Sequence, residues 1–303
     1  MNGVGVGAAR QPEDPWTVLG LVLWSADYLK EKGVEHARLD AEHLLAHALG
    51  STRLQLYLQF DRPLDAAELA AFKPLLQRRA RREPLQYVVG RAAFRHLDLA
   101  VDPRVLIPRP ETEVLVDAVL EWARARGDGE AEGLDALDLG TGSGCIALAL
   151  LTEGSFRRVV ATDASVDALV VAGANAATAG VASRWDGRLG RLFEPLATGE
   201  RFHVVVSNPP YVARSEAGEL DPEVRDWEPA AALFGGPEGL DVLDALVAGA
   251  GERLNAGGLL ALEIGLGQAD RVAALIRATG AFGEPRGRRD LTGRPRILLA
   301  ERG

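Results

Sequence analysis

The sequence predicts an α/β fold with a mostly parallel sheet, preceded by a small helical bundle and a β-hairpin linker. Three observations support this prediction. Residues 15–82 carry apolar side chains at three- and four-residue spacing, which is typical of packed helices. Residues 85–107 alternate apolar and polar positions around a turn, as a hairpin does. From there to the end, short apolar runs alternate with helical segments, which is the order of an open α/β sheet.

The predicted organisation has four parts. Residues 1–14 are polar and glycine-rich and follow no strand, so they are expected to form a disordered tail. Residues 15–88 are expected to be a helical domain and residues 89–107 a hairpin linker. Residues 108–303 are expected to be the α/β domain. Within the helical domain, the last long helix is expected to break or kink at Pro74, because proline lacks the amide hydrogen of an internal helical residue.

Whole-chain composition narrows the classes of function. The net charge of −9 argues against naked nucleic acid as the main partner, since such proteins present a basic surface. The single cysteine, Cys145, excludes an internal disulfide framework, and no cysteine cluster indicates a metal site. No apolar run is long enough to span a bilayer and the first residues lack a secretory leader. The sequence therefore predicts a cytoplasmic protein without a membrane partner.

A basic run at the end of the helical domain has two interpretations. It comprises Arg78, Arg79, Arg81 and Arg82. A solvated helix end, whose charges offset the helix dipole, is modestly favoured. The alternative is a docking patch for an acidic or RNA-bound partner.

A glycine-rich loop follows the first strand of the α/β domain. That strand ends at Leu139, and a helix begins directly after the loop. A glycine loop in this place lets the backbone approach a ligand closely and points N–H groups at it. The next strand ends in Asp163, whose carboxylate can accept hydrogen bonds from two ribose hydroxyls. A plain tight turn would not need that acid, so the sequence predicts a site for an adenosine-containing ligand.

The spacing of the loop differs from the dinucleotide fingerprint G-x-G-x-x-G. The run G-T-G-S-G after Asp138 resembles the first motif of class I methyltransferases that use S-adenosyl-L-methionine (SAM), which have a Rossmann-like sheet. This resemblance implies that SAM binds along the loop, with its ribose on Asp163. The residues it assigns to the cofactor are Asp138, Gly140, Thr141, Gly142, Ser143, Gly144, Asp163, Leu192 and Asn208.

A second motif ends a later strand. The apolar run at 203–207 predicts a buried strand, and it ends at Asn208, Pro209, Pro210 and Tyr211. These four residues resemble the motif of methyltransferases that act on planar nitrogens. Such a nitrogen is a poor nucleophile, because its lone pair is delocalised. The Asn208 side-chain oxygen and the Pro209 backbone oxygen can each accept one N–H of an amino group, and Tyr211 can stack on the planar group. This chemistry needs no metal.

The resemblance extends over nearly the whole chain. The segments EPLQYVVGRAAF at 83–94 and VLIPRPETEVLVD at 105–117, with WEPAAALFGGPEGLD and DLTGRPR later, resemble the HemK/PrmC family of release factor glutamine methyltransferases. This implies methylation of the glutamine in the Gly-Gly-Gln motif of class I peptide chain release factors. The glutamine would enter the pocket of Asn208, Pro209, Pro210 and Tyr211, next to SAM. Arg109 and Glu113 would shape that pocket, or instead tie the linker to the core by a salt bridge.

One departure and two alternatives accompany this interpretation. The family usually has an acid before the pair Leu192-Phe193, able to accept from the adenine amino group, but here the position is Arg191. Adenine recognition would then depend on backbone groups near Leu192 or on another acceptor. The first alternative is a DNA or RNA methyltransferase acting on the exocyclic nitrogen of adenine. The second is a catalytically silent SAM-binding adaptor.

Overall fold

A computed structural model of the chain describes residues 15–126, 133–290 and 292–303, so the tail expected at 1–14 lies outside the described residues. The chain divides into two compact units, Met1–Val89 and Gly90–Gly303. The first is helical, and the second contains a short hairpin followed by an α/β sheet.

The first unit is a helical bundle around one apolar core. Apolar side chains at helical spacing, among them Leu44, Leu45 and Phe72, are buried together. Side-chain caps fix where helices begin: Thr52 and Asp65 each accept a backbone N–H three residues on. The helices are α1 Val18–Glu31, α2 Ala37–Ala48, α3 Arg53–Tyr57, α4 Ala66–Ala80 and α5 Leu85–Val89.

The break or kink expected at Pro74 is not a break, because α4 continues through it from Ala66 to Ala80. The Pro74 ring is exposed, while Phe72 and Leu76 are buried in the core. The carbonyl of Ala70, which loses its helical donor to the proline, belongs to an exposed residue and can bind water. Packing of the buried face therefore holds the helix across the proline.

Two arginines of the basic run are paired rather than merely solvated. Arg78 Nη2 donates to Glu83, and Arg79 Nε donates to Asp40 at 2.7 Å, with the latter pair buried. A buried charge needs such a partner. Arg79 is therefore held in the interior of the bundle, and the half-exposed Arg78 is paired within the same unit, which disfavours a docking role for both.

The second unit begins with a two-stranded hairpin, β1 Arg91–Phe94 and β2 Leu97–Ala100. The remaining strands are β3 Leu134–Leu139, β4 Phe156–Asp163, β5 Trp185–Leu189, β6 Phe202–Ser207, β7 Leu254–Glu263, β8 Arg286–Arg289 and β9 Pro295–Glu301. The helices are α6 Pro110–Ala125, α7 Cys145–Glu153, α8 Val166–Thr178, α9 Pro222–Arg225, α10 Ala230–Leu233, α11 Asp241–Arg253 and α12 Ala269–Ala278, with a 3-10 helix at Arg214–Glu219.

The sheet has the strand order β5-β4-β3-β6-β7-β9-β8. Strands β3 to β7 pair in parallel, and β9 is antiparallel to its neighbours. The valines of β6 alternate between the two cores: Val204 and Val206 pack on one face, and Val205 on the other. All three are fully buried, which confirms the α/β fold with a strand covered on both faces.

The hairpin is joined to the sheet by polar side chains. The Asn175 carboxamide on α8 accepts from the Ala100 N–H and donates to the carbonyls of Ala100 and Ser143, so it links β2 to the loop after β3. At the turn, Arg95 Nε and Nη2 donate to Glu153, each at 2.7 Å. The hairpin therefore has a fixed place within the second unit.

The described residues contain neither a membrane-spanning helix nor a cluster of metal-ligating side chains. Among those residues, no helix combines the length and the apolar character needed to cross a bilayer. In the same part of the chain, His, Cys, Asp and Glu side chains do not gather in groups of three or more that could hold a metal ion.

Candidate active site

The two sequence motifs lie side by side at one edge of the sheet. β3 and β6 are neighbours, with Asp138 opposite Val206, although the two strands β4 and β5 separate them in the chain. Strand order reverses between them, and ligands of open α/β sheets bind beyond the carboxyl ends of strands at such a point. Ser207 Oγ donates to the Leu139 carbonyl at 2.6 Å and so fixes the two strand ends to each other.

The glycines of the loop Gly140–Gly144, called the glycine loop below, serve two purposes. Gly140, Gly142 and Gly144 have φ of 72°, 54° and 85°, which disfavours other residues. A Cβ on Gly140 or Gly142 would meet nothing within 4 Å, so open space lies beside both. A Cβ on Gly144 would lie 3.3 Å from Ala172 and Leu148, so this glycine allows close helix packing instead.

Most N–H groups of the glycine loop are bonded within the protein, contrary to the expectation that they point at a ligand. Gly140 and Thr141 both donate to the Thr162 carbonyl, and Gly144 donates to the Thr141 carbonyl. Gly142 donates to Asp163 Oδ2. The loop thus offers space rather than a row of donors. That suits a ligand without phosphate better than a pyrophosphate, which calls for free N–H groups.

Asp163 is held in place by two backbone donors. Its Oδ2 accepts from the Gly142 N–H and its Oδ1 from the Ser165 N–H, both at 2.9 Å. The residue is only partly buried. Since each carboxylate oxygen can accept more than one hydrogen bond, further acceptor capacity remains for ribose hydroxyls.

Asp138 is the most buried ionisable group of the site. Its Oδ2 accepts from the Thr141 hydroxyl at 2.7 Å, and within the described residues its Oδ1 has no hydrogen-bond partner. Burial raises the pKa of this carboxyl to about 7, against the opposing effect of the Thr141 bond. The Ala147 N–H at the start of α7 also stabilises the charged form, but no donor among the described residues lies within hydrogen-bonding geometry of Oδ1, which leaves room for a ligand that brings an N–H or O–H group to it.

The Gly190–Phe193 segment follows β5 at the same edge. The Arg191 side chain is exposed, and the backbone N–H of Arg191 donates to Glu194 Oε2. Leu192 has φ of 44°, and its carbonyl accepts from the Thr162 hydroxyl. The Leu192 backbone is thereby fixed next to the strand that carries Asp163.

A chain of side-chain hydrogen bonds surrounds Asn208. Asn208 Nδ2 donates to Thr112 Oγ1 at 3.0 Å, and Thr112 Oγ1 donates to Glu263 Oε2 at 2.7 Å. The Tyr211 hydroxyl donates to Glu263 Oε1 at 3.2 Å. Below, these four residues are called the carboxamide network. Burial raises the pKa of Glu263 to about 7, and burial beside the Glu263 charge raises the pKa of Tyr211.

The backbone after Asn208 is held rigidly. Pro209 is buried, and Gln268 Nε2 donates to the Tyr211 carbonyl at 2.9 Å. A Cβ on Gly235 would come within 2.3 Å of the Pro210 carbonyl, so only glycine fits against that turn. The Asn208–Tyr211 motif therefore has a fixed shape before any substrate arrives.

Arg109 and Glu113 belong to the segment that leads into α6, but they make different contacts. Arg109 donates to Glu228 at 2.6 Å, and the Ile107 N–H donates to the same carboxylate. Glu113 Oε1 accepts from the Arg95 N–H of the hairpin turn. Both side chains tie this segment to neighbouring structure, which is the role the sequence offered as the alternative to shaping the pocket. The pocket role stays a prediction.

Sequence reasoning missed Thr112 and Glu263. Thr112 lies inside the quoted segment IPRPETE, yet nothing nearby in the chain marks it as a partner of Asn208, which is 96 residues away. Glu263 did carry a signal: it is one acid at the end of the apolar run LLALE, and a buried carboxylate needs a polar partner.

Two family models match the chain. The PrmC N-terminal domain matches residues 21–90, and the methyltransferase small domain matches residues 126–220. The second match includes the glycine loop, Asp163 and the Asn208–Tyr211 motif.

Curated relatives resemble almost the full chain. A release factor glutamine methyltransferase of Geobacter sulfurreducens is 46% identical over 265 residues, covering 88% of this chain and 90% of the relative. One from Rhodopirellula baltica is 37% identical over 295 residues, covering 97% and 99%. Among solved structures, a methyltransferase from Pyrococcus furiosus aligns with a TM-score of 0.50 at 19% identity, over 70% of this chain and 91% of the other. The likeness of that structure concerns the fold.

Proposed function

The chain belongs to the family of release factor glutamine methyltransferases, and we propose that it methylates the glutamine of the Gly-Gly-Gln motif in class I peptide chain release factors. The acceptor is the side-chain amide nitrogen, and SAM is the methyl donor. One observation supports this above the others. The glycine loop and the Asn208–Tyr211 motif end adjacent strands, so a cofactor and a planar amide can meet there.

The residues at the end of β3 fit SAM. Open space lies beside Gly140 and Gly142, and Asp138 Oδ1 has no hydrogen-bond partner among the described residues. Asp163 would accept hydrogen bonds from the ribose hydroxyls. The Leu192 N–H would donate to a ring nitrogen of adenine, which is a different contact from the one that an acid at position 191 would make with the amino group. When bound, SAM supplies an electrophilic methyl group on a positively charged sulfur.

The Asn208–Tyr211 motif would hold the glutamine. Asn208 Oδ1 and the Pro209 carbonyl each accept one N–H of the substrate amide, which turns the nitrogen lone pair towards the cofactor. As the nitrogen gains its new bond it gains positive charge, and two fixed acceptors stabilise that charge without reorganising. Tyr211 offers an aromatic face to the planar amide.

The helical unit is the part we propose for docking the release factor. Several of its charged groups are paired within the bundle, as Arg79 with Asp40 and Glu42 with Arg53. It nevertheless leaves apolar side chains in solvent: Leu54 and Leu58 are 69% and 78% exposed. Such a surface suits a protein partner better than a nucleic acid. Binding of the release factor at a surface remote from the glutamine would position that glutamine for reaction. We expect the reaction to take place in the cytoplasm, where the other translation factors are.

The experiment that tests this function compares three substrates with radiolabelled SAM. Purified protein is incubated with a class I release factor, with the same factor carrying alanine for the Gly-Gly-Gln glutamine, and with duplex DNA. Label should enter only the first. Label in DNA would favour the adenine methyltransferase instead, and label in none would favour the silent adaptor.

A further inference from the structure

The number of hydrogens that each group can donate fixes the direction of the hydrogen bonds in the carboxamide network. A threonine hydroxyl has one hydrogen to donate, and an ionised carboxylate can only accept. Thr112 gives its hydrogen to Glu263 at 2.7 Å, so it presents only lone pairs to Asn208. Asn208 must then turn its –NH2 group towards Thr112, as the 3.0 Å contact from Nδ2 requires.

That arrangement decides which end of the Asn208 amide is left for the substrate. A carboxamide can rotate by half a turn with little change in shape, so packing alone distinguishes its two ends poorly. If the –NH2 group faced the substrate amide instead, two donors would meet and the acceptor would be lost. The acceptor role of Asn208 therefore needs something to fix its orientation.

We propose that Glu263 is a positioning residue which, acting through Thr112, holds the Asn208 carboxamide with its oxygen turned to the substrate. The inference rests on the proposed function, because it assigns Asn208 Oδ1 as an acceptor of the substrate amide. Glu263 touches neither substrate nor cofactor. It acts through the single proton of Thr112.

Several features favour a carboxylate in this position. Glu263 and Thr112 are both 1% exposed, so solvent does not compete for their hydrogen bonds. Glu263 is adjacent to Asn208 by register, because Ser207 pairs with Leu262 in the parallel ladder of β6 and β7. An ionised carboxylate at such a buried place costs stability. A neutral side chain would serve a purely structural role as well, so the carboxylate points to a role in orientation. The second oxygen also fixes the Tyr211 hydroxyl.

Protonation of Glu263 should weaken its control over the orientation of the Asn208 carboxamide. With its proton on, Glu263 could donate to Thr112, whose own hydrogen would then be free to turn to Asn208 and attract the amide oxygen. Burial raises the pKa of Glu263 to about 7, so the ionised form is lost as the pH falls below that value. Four other titratable or charged groups face Glu263: Glu111 on α6, Tyr211 after β6, Arg296 on β9 and Cys145 on α7.

The first test compares kcat at saturating SAM for matched threonine variants with intact release factor. Thr112→Val keeps the shape and removes the hydroxyl, and should lower kcat about tenfold, as for loss of one buried hydrogen bond. Thr112→Ser restores the hydroxyl and should recover most of that loss. Thr152→Val removes a helical threonine hydroxyl on α7 that bonds only to the Leu148 and Ala149 carbonyls, and should leave kcat unchanged. A normal kcat in Thr112→Val overturns the proposal.

The second test asks whether Glu263 acts through Thr112. Glu263→Gln alone should lower kcat about threefold or more, yet the double variant Glu263→Gln/Thr112→Val should be no slower than Thr112→Val. Losses that multiply would overturn the proposal. In the unmodified protein kcat should fall as the pH drops through about 7, and Glu263→Gln should lose that step. Should Thr112→Val fold poorly, this pH comparison alone decides: the same step in Glu263→Gln overturns the proposal.

The two proposals fail in different ways. If the unmodified protein labels no release factor, the proposed function is overturned, and this inference with it. If the unmodified protein is active but the losses multiply or the pH step persists in Glu263→Gln, only the role of Glu263 is overturned.

Discussion

The variant Gly140→Ala has two effects: it fills space that the glycine loop leaves for the cofactor, and it places an L-residue in a left-handed backbone conformation. A control variant can tell the two effects apart. Gly180 provides a matched control in the same unit, directly after α8. The two glycines have nearly the same φ, 72° and 71°, and a Cβ on either would meet no atom within 4 Å. Only Gly140 borders the proposed SAM site.

The expected sizes follow from this match. An L-residue in the left-handed region costs about 1–2 kcal/mol, so Gly140→Ala and Gly180→Ala should lose similar amounts of unfolding free energy. A cofactor packed on the Gly140 Cα at about 3.5–4.0 Å would have to retreat by roughly 1 Å from the new methyl group. Losing dispersion contacts and one hydrogen bond to a charged group would cost about 1.5–3 kcal/mol, a roughly 10- to 150-fold weaker SAM affinity.

Two measurements complete the comparison. Thermal unfolding followed by circular dichroism should show similar losses of stability in both variants. Calorimetric titration with SAM should show weaker binding in Gly140→Ala alone. Parental SAM affinity in Gly140→Ala, or equal weakening in Gly180→Ala, would refute the placement of the cofactor on the glycine loop.

Three further predictions concern the same site, and a fourth concerns the helical unit. Asn208→Ala should lower kcat by about a hundredfold or more while SAM affinity, measured by calorimetry, stays near parental, because one fixed acceptor is lost and the glycine loop is intact; a near-parental kcat would contradict the mechanism. Asp163→Ala should weaken SAM binding by about 1.5–3 kcal/mol in the same titration, and unchanged affinity would mean that the ribose lies elsewhere. Glu263→Gln should gain unfolding free energy relative to the unmodified protein as the pH rises from about 4.5 to 7, because a raised folded-state pKa contributes stability at low pH that is lost across that window; chemical denaturation at several pH values checks this, and a constant difference would refute it. Deleting residues 1–89 should leave a folded SAM-binding unit, verified by circular dichroism and titration, whose activity falls sharply on intact release factor but little on a Gly-Gly-Gln peptide; equal activity on the intact factor would exclude a docking role.

The sequence pattern revealed the central strands but not the edges of the sheet. β3 and β6 are apolar runs that are covered on both faces, so composition alone marks them. The edge strands β5, with the sequence WDGRL, and β8, with RGRR, contain no fully buried residue and carry no such run. An edge strand needs only one paired side, and charged residues there discourage pairing with other chains.

For the site, local motifs were readable and distant partners were not. The glycine loop and Asn208 each follow a strand directly, and Asp163 is the last residue of one, so the order of elements brings them to one edge. The bond from Asn208 to Thr112 joins residues 96 positions apart, and only the folded chain brings them together. The expectation of free N–H groups in the glycine loop failed because the Thr162 carbonyl accepts two of them.

The most direct test of the account is to locate the transferred methyl group by mass spectrometry. A class I release factor is incubated with SAM and the unmodified protein, and in parallel with Asn208→Ala, and the peptide that contains Gly-Gly-Gln is fragmented. The account predicts one added methyl group on the side-chain amide of that glutamine with the unmodified protein, and almost none with the variant. A methyl group on any other residue, or equal methylation by Asn208→Ala, would contradict it.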